Sequence, residues 1–250
     1  MLMQSTITPE KAKPLLLSTA PLHVAIICDG NGRWATSRGQ VRSEGHRAGA
    51  ETARRVIACA PHLGIGTLTL FTLSSANWTR PAAEVAEILR ILQEYLEVET
   101  VRCLDDGIRL SIIGRRDRLP ESLRQAISDA EAITAKGSTL HLRLAVDYSA
   151  RQCIYQAATK FYKVTSLSTE AFGDVLAEVM RGGSTEVDLL VRTGGEQRMS
   201  DFLLWECAFA EMVFLEKRWP DFTAADLRNA VLEFGRRERT RGALPRECPI

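Results

Sequence analysis

Asp29, Gly30, Asn31, Gly32, Arg33 and Trp34 form an unbroken run directly after a short apolar segment, His23 to Cys28. Two glycines let a backbone turn tightly and approach a ligand closely. Amides that open a helix point at anions, and Arg33 adds a fixed cation. Asp29 is negative in the same place. A carboxylate beside an anion-binding loop makes sense when a divalent cation bridges them, and magnesium typically takes one or two carboxylates plus substrate phosphates. The run Gly30-x-Gly32-x-x-Ala35 also satisfies the dinucleotide fingerprint formally. That fingerprint wants an acid after the second strand, and Leu73-Ser74-Ser75-Ala76-Asn77 has none. A purely structural turn would have little use for Arg33 and Trp34.

Three further clusters share this character. Arg42 and His46 are four residues apart, a spacing that puts both on one helical face. Ser74, Asn77, Trp78 and Arg80 follow a second apolar run; a helix cap leading into Pro81 explains the serine, and a ligand better explains the Trp and Arg. Arg192, Arg198 and Ser200 surround the turn Gly194-Gly195, a second candidate phosphate cradle. Glu211 offers another carboxylate for a metal. Two anion cradles imply two phosphorylated ligands, or one ligand with two such groups.

The chain around them has 250 residues, 45% hydrophobic and 25% charged, as ordinary globular proteins have. Lys+Arg total 32 against 31 for Asp+Glu, a net charge of +1 that argues against a nucleic-acid partner. No stretch approaches the roughly 18 apolar residues of a membrane span. Six cysteines (28, 59, 103, 153, 207 and 248) form no Cys-x-x-Cys pair and read as reduced structural thiols of a cytoplasmic protein. Pro14 to Leu17 is too short for a signal peptide, so residues 1–20 read as a loose tail.

The elements that must position these clusters follow from the apolar pattern. Strands are expected at His23–Cys28, Thr67–Leu73, Ile108–Ile113, Thr139–Val146, Val187–Val191 and Met212–Leu215. Helices are expected at His46–Leu63, from Pro81 onward, at Pro120–Lys136, Arg151–Lys163, Thr169–Arg181, Phe202–Ala208 and Thr223–Arg239. Strands alternating with helices imply a single α/β domain, with a central, mostly parallel six-stranded sheet flanked by helices. It would span 21–241, leaving 242–250 as a second tail. Ligands of such sheets bind outside the carboxyl ends of the strands, where the unusual polar residues lie.

The run from His23 to Trp34 resembles the signature of the cis-prenyltransferases, typified by undecaprenyl diphosphate synthase. So do Gly45-His46, Ser74 to Pro81, Asp188 to Leu204 and Trp219-Pro220-Asp221-Phe222, in the same order and across nearly the whole chain. The resemblance implies a magnesium-dependent homodimer that adds isopentenyl diphosphate to an allylic diphosphate such as farnesyl diphosphate. Each new double bond would be cis. By the same resemblance Asp29 handles the metal and the allylic diphosphate, with Gly30 to Trp34, Arg42 and His46 in that pocket. Ser74, Trp78 and Arg80 belong to the substrate loop, and Asn77 matches the position often assigned as proton acceptor. Arg192, Arg198 and Ser200 match the isopentenyl diphosphate pocket, and Glu211 a metal ligand acting across the dimer interface. The helical prenyl-elongating class needs Asp-Asp-x-x-Asp, and Asp105-Asp106-Gly107-Ile108-Arg109 lacks its final acid.

The sequence departs from the family pattern at three places. Ala76 stands where Glu is usual, Asp147-Tyr148-Ser149-Ala150-Arg151 replaces Asn-Tyr-Gly-Gly-Arg, and Asp201 replaces Asn. These suggest a specialised member, and two alternatives stay open. One is a short-chain synthase of specialised terpenoid metabolism, its tunnel narrowed by Thr72 and Leu73 and lined by Ile88, Leu92 and Tyr95. The other is a non-catalytic partner subunit. The basic run Arg236 to Arg241 is read as a solvated helix end, with weak attraction to an anionic membrane surface as its alternative.

Overall fold

The computed structural model describes residues 20–162, 168–181, 183 and 186–239. Six strands form one sheet: β1 (Leu22–Ile27), β2 (Ile65–Phe71), β3 (Ile108–Ile113), β4 (Leu140–Ala145), β5 (Leu189–Arg192) and β6 (Glu211–Phe214). Their order is β3-β4-β2-β1-β5-β6, and every pairing is parallel. The sheet is therefore wholly parallel rather than mostly so. From β1 the chain adds β2, places β3 at the far edge and inserts β4 between them, then returns to add β5 and β6 on the other side of β1. Such a reversal opens a crevice at the carboxyl ends of the central strands.

The helices are α1 (Asn31–Thr36), α2 (Arg42–Cys59), α3 (Ala82–Asp105), α4 (Glu121–Thr134), α5 (Ala150–Phe161), α6 (Thr169–Met180) and α7 (Ala224–Arg236). Side chains alternate across each strand, so every strand feeds two cores. Val24, Ile26, Leu68, Leu70, Leu142 and Leu144 face one core with residues of α2, α3, α4 and α7. Ala25, Ile27, Phe71 and Ala145 face the other, with α5 and α6.

Two expected helices differ. The helix expected from His46 begins four residues earlier, at Arg42, and ends at Cys59. Pro61 lacks the amide a further helical turn needs, so Pro61–Leu63 tightens into a 3-10 turn instead. The helix expected at Phe202–Ala208 is absent and the segment runs in turns. Ser200, Asp201 and Leu203 have φ of 51°, 62° and 45°, left-handed values that no right-handed helix accommodates. Of the two tails, only Ala20 falls among the described residues, and of the basic run Thr240 and Arg241 fall outside them.

The described cysteines are all free. Burial pushes the Cys103 thiol up to about 11 and those of Cys153 and Cys207 up to about 12, so they are inert at neutral pH.

The close packing of α1 on α2 rests on Gly45, where a Cβ would overlap the Asn31 carbonyl oxygen. Gly45→Ala is expected to cost about 2 kcal/mol through overpacking, lowering the thermal midpoint by about 6 °C, measurable by circular dichroism.

Candidate active site

Strand ends bring the first and fourth clusters together. Asp29 leaves β1 and Arg192 ends β5, adjacent strands in the sheet. Arg192 is 4% exposed, and its Nη2 donates to Asp29 Oδ2 at 2.9 Å. Its Nη1 donates to Ser200 Oγ at 2.8 Å and to the Arg198 carbonyl. Asp29 Oδ1 accepts the Gly30 amide at 2.6 Å, and Arg33 lies 3.4 Å away. Gly194 has φ 86°, and a Cβ there would meet the Arg33 guanidinium at 2.9 Å, so only glycine lets the two loops close. Glu196 pairs with Arg33 at 3.7 Å and with Arg198 at 2.5 Å.

The second and third clusters converge on a residue the sequence reading passed over. Glu84, in the first turn of α3, accepts from Arg42 Nε at 3.0 Å and from Arg80 Nη1 at 3.2 Å. His46 Nε2 lies 3.5 Å from the same carboxylate. Burial lowers the His46 pKa, an effect the Glu84 bond opposes without cancelling. The available signal was the spacing of Arg80 and Glu84, four apart at a helix start.

The loop between β2 and α3 is a 3-10 turn, Ser75–Thr79. Ser74 and Asn77 cap it reciprocally: Ser74 Oγ accepts from Ala76 N–H, and Ser74 N–H donates to Asn77 Oδ1 at 3.0 Å. Ser75 Oγ donates to Asp147 Oδ1 at 2.8 Å. Asp147 is fully buried and also accepts from Arg118 Nε at 2.9 Å. The Arg118 guanidinium lies 4.7 Å over the Trp78 ring, a cation–π contact that completes the strut. Asp147 and Arg118 are thus loop-holding residues that strand and helix patterns could not reveal.

Two expected site residues point elsewhere within one chain. Trp34 Nε1 donates to Asp221 at 2.7 Å, with Arg38 stacked on its ring at 4.1 Å. Glu211 opens β6, opposite Leu189 and three residues upstream of the Arg192 level, where Arg237 donates to it at 2.9 Å.

Below His46 and Asn31 lies an apolar cavity of about 100 Å³ between the sheet and helices α2 and α3. Thr72, Leu73, Ile88, Leu92 and Tyr95 line it, as the resemblance led us to expect. The Thr72 hydroxyl is taken up by the Ala145 carbonyl at 2.7 Å.

Fold and site together define an α/β protein that gathers cationic side chains at the carboxyl ends of its central strands, above an apolar cavity. The sequence matches, over residues 27–242, the family described as putative undecaprenyl diphosphate synthase. It is 52% identical to isoprenyl transferase 1 of Bradyrhizobium diazoefficiens, over 99% of this chain and 98% of that protein. It is 42% identical to an isoprenyl transferase of Aquifex pyrophilus, over 89% and 96%. Among solved structures it resembles lavandulyl diphosphate synthase from Lavandula x intermedia, in complex with dimethylallyl diphosphate. There the TM-score is 0.82 and the identity 36%, over 88% of this chain and 97% of that one. A probable undecaprenyl diphosphate synthase from Campylobacter jejuni aligns at TM-score 0.76 and 30% identity, over 90% and 100%. The chain belongs to this family of isoprenyl transferases. It is accordingly a prenyltransferase, an enzyme of prenyl chain elongation.

Two of the departures noted in the sequence meet in space. The Ser149 hydroxyl donates to Asp201 Oδ2 at 2.5 Å, and Asp201 Oδ1 accepts the Arg151 amide at 2.9 Å. Ser149 has φ −147°, so its Cβ causes no strain; the left-handed residue is Asp147, at φ 48°. Ser149→Ala and Asp201→Asn are each expected to destabilise by about 1–2 kcal/mol. Because they break one contact, the double variant should fall short of their sum by about 1 kcal/mol in urea unfolding.

Proposed function

We propose that this chain condenses isopentenyl diphosphate with an allylic diphosphate and releases diphosphate. The observation that carries the reading is the apolar cavity that opens beneath His46, where Arg42 and Arg80 gather, next to the Asp29–Arg192 pair. An amphiphile with a diphosphate head and a prenyl tail matches both parts. The allylic head occupies Gly30 to Arg33, Arg42, His46 and Arg80. The isopentenyl head occupies Arg192, Arg198 and Ser200.

When the allylic diphosphate departs, negative charge develops on its leaving oxygens. Fixed guanidiniums stabilise that charge most where water is excluded. Asn77 Oδ1 already accepts the Ser74 amide, so the free part of this side chain is a donor. Asn77 therefore suits the positioning of a diphosphate oxygen better than the acceptance of a proton. Trp78, with Ser74, shapes the same loop.

Among the described residues no group of three or more His, Cys, Asp or Glu gathers as a metal cage. A single hard carboxylate, Asp29, fits magnesium held mainly by diphosphate oxygens. The ion would supply charge neutralisation at the leaving group. Glu211 would contribute to that site from a second copy. Support for a homodimer comes from the edge strand β6 and from Trp205 and Phe209, 37% and 60% exposed in the turns that lead into it. Among the described residues no helix is long and apolar enough to cross a membrane. We place the protein in the cytoplasm, without a nucleic-acid partner.

The cavity favours a short product. At about 100 Å³ it is smaller than the roughly 150 Å³ cavity that accepts benzene in an engineered protein core. A primer the size of dimethylallyl diphosphate, which the lavender enzyme holds in its crystal, suits it. Tyr95, Ile91 and Ala50 line both this cavity and an outer groove between α2 and α3, so they form the wall between the two.

The test is a product assay with purified protein, magnesium, labelled isopentenyl diphosphate and dimethylallyl, geranyl, farnesyl and geranylgeranyl diphosphates. One or two additions are expected; a long polyprenyl ladder would refute the short-chain reading, and no turnover with any primer would refute the condensation itself. Tyr95→Ala is expected to lengthen the product by at least one isoprene unit. Asp29→Asn is expected to lower turnover by about 10²–10³-fold and, because it leaves the buried Arg192 without its carboxylate, to lower the thermal midpoint of the folded variant as well.

A further inference from the structure

Glu84 is a carboxylate standing among the cations assigned to an anionic head group. Its side chain is 13% exposed. It holds Arg42 through two bonds, Nε at 3.0 Å and Nη2 at 3.1 Å, and Arg80 at 3.2 Å, with His46 at 3.5 Å. Burial alone would raise its pKa, but the neighbouring guanidiniums outweigh burial and hold the carboxyl below its usual range. It is therefore fully charged at neutral pH.

The Arg42 guanidinium lies directly over Gly32, where any side chain would collide with it. Arg42 thus touches the glycine loop on one side and Glu84 on the other. A planar guanidinium presents its donors in a fixed fork, and Glu84 already occupies that fork in bidentate fashion. A diphosphate needs the same donors. Two anions on one set of cations repel, so the incoming head group must displace the carboxylate or share its partners at a cost.

We propose that Glu84 is an internal stand-in for the allylic diphosphate: it occupies Arg42, Arg80 and His46 when the pocket is empty and yields them when substrate enters. The exchange works in both directions. Substrate affinity is set by the difference between two anions on one cation cluster, not by the cluster alone. When inorganic diphosphate leaves, Glu84 retakes the guanidiniums, so the half-buried cations are not left unpaired. A site with two nearly matched anions releases its product more readily than one with bare cations. The inference rests on the reading that Arg42, His46 and Arg80 form the allylic diphosphate pocket.

The test is titration calorimetry with inorganic diphosphate on the full chain at low ionic strength. Glu84→Gln keeps the shape and removes the charge. It is expected to bind diphosphate about tenfold more tightly than the unaltered protein, and the gain should shrink as salt is added. The allylic substrate's KM should fall with it. Glu84→Ala, which leaves no amide to rebind Arg42, should shift affinity in the same direction. Unchanged or weaker binding in both folded variants would overturn the proposal and make Glu84 a scaffold for the guanidiniums. Arg42→Ala separates the two levels of the argument. If it leaves diphosphate binding intact, or if the unaltered protein binds none, the pocket reading falls and the stand-in falls with it. If Arg42→Ala weakens binding while the Glu84 variants do not tighten it, only the stand-in is lost.

Discussion

The ion pair between Asp29 and Arg192 is the constraint on which the rest of the site depends. Arg192 ends a central strand and is 4% exposed, so its charge cannot be left to solvent. Breaking one partner of a buried pair typically costs about 3–5 kcal/mol, and apolar replacements of the same shape are often no less stable. Stability therefore does not explain why a guanidinium sits there. Its geometry does: one nitrogen holds the acid after β1, and the other holds Ser200 and the Arg198 carbonyl. A single buried fork thus registers two loops to one another at the crevice where β1 and β5 lie side by side. The left-handed residues at 200, 201 and 203 are the backbone's accommodation to that docking.

The same logic resolves an apparent conflict in the charge balance. The proposed function would bring two diphosphates to the site, yet the net charge is +1. Asp29 pairs with Arg192 and Arg33, Glu84 with Arg42 and Arg80, and Glu196 with Arg33 and Arg198. Cations are held in place by anions that a substrate can rival, so the positive character is local and conditional. Net charge argued against a nucleic-acid partner. It could not reveal the cradles, because a sum over the chain does not say which acid neutralises which cation, Glu84 being 42 residues from Arg42 and four from Arg80.

What was legible in the sequence follows from the range of each interaction. All six strands are visible as short apolar runs, because buried parallel strands must be apolar on both faces. The loop motifs were legible because their residues are contiguous. The early start of α2 was hidden, since Arg42 to Gly45 is polar and glycine-containing and its helical state is imposed by packing of α1 on Gly45. The helix expected at Phe202–Ala208 failed for the converse reason: its apolar residues fill the second core from a chain of turns dictated by the site. The pairing of Ser149 with Asp201 spans 52 residues, and that of Asp147 with Arg118 spans 29. Each looked like an isolated departure or a surface charge until the fold brought the partners together.

The cavity is the remaining feature that packing alone does not explain. Protein interiors are close-packed, so an apolar hollow of about 100 Å³ left unfilled forgoes contacts that its lining side chains would otherwise make. A larger side chain at Ala50 or Ala53, both on its wall, would fill part of it. That the void lies directly beneath the cation cluster gives it a use. An apolar tail entering it recovers the missing contacts, and the gain is available only to a molecule whose head fits above. Head and tail then have separate tasks. Under the proposed function the charged head, exchanging partners with anions already present, would fix orientation at little net affinity. On that reading the tail supplies binding energy up to the wall formed by Tyr95 and Ile91, which separates the cavity from the outer groove between α2 and α3.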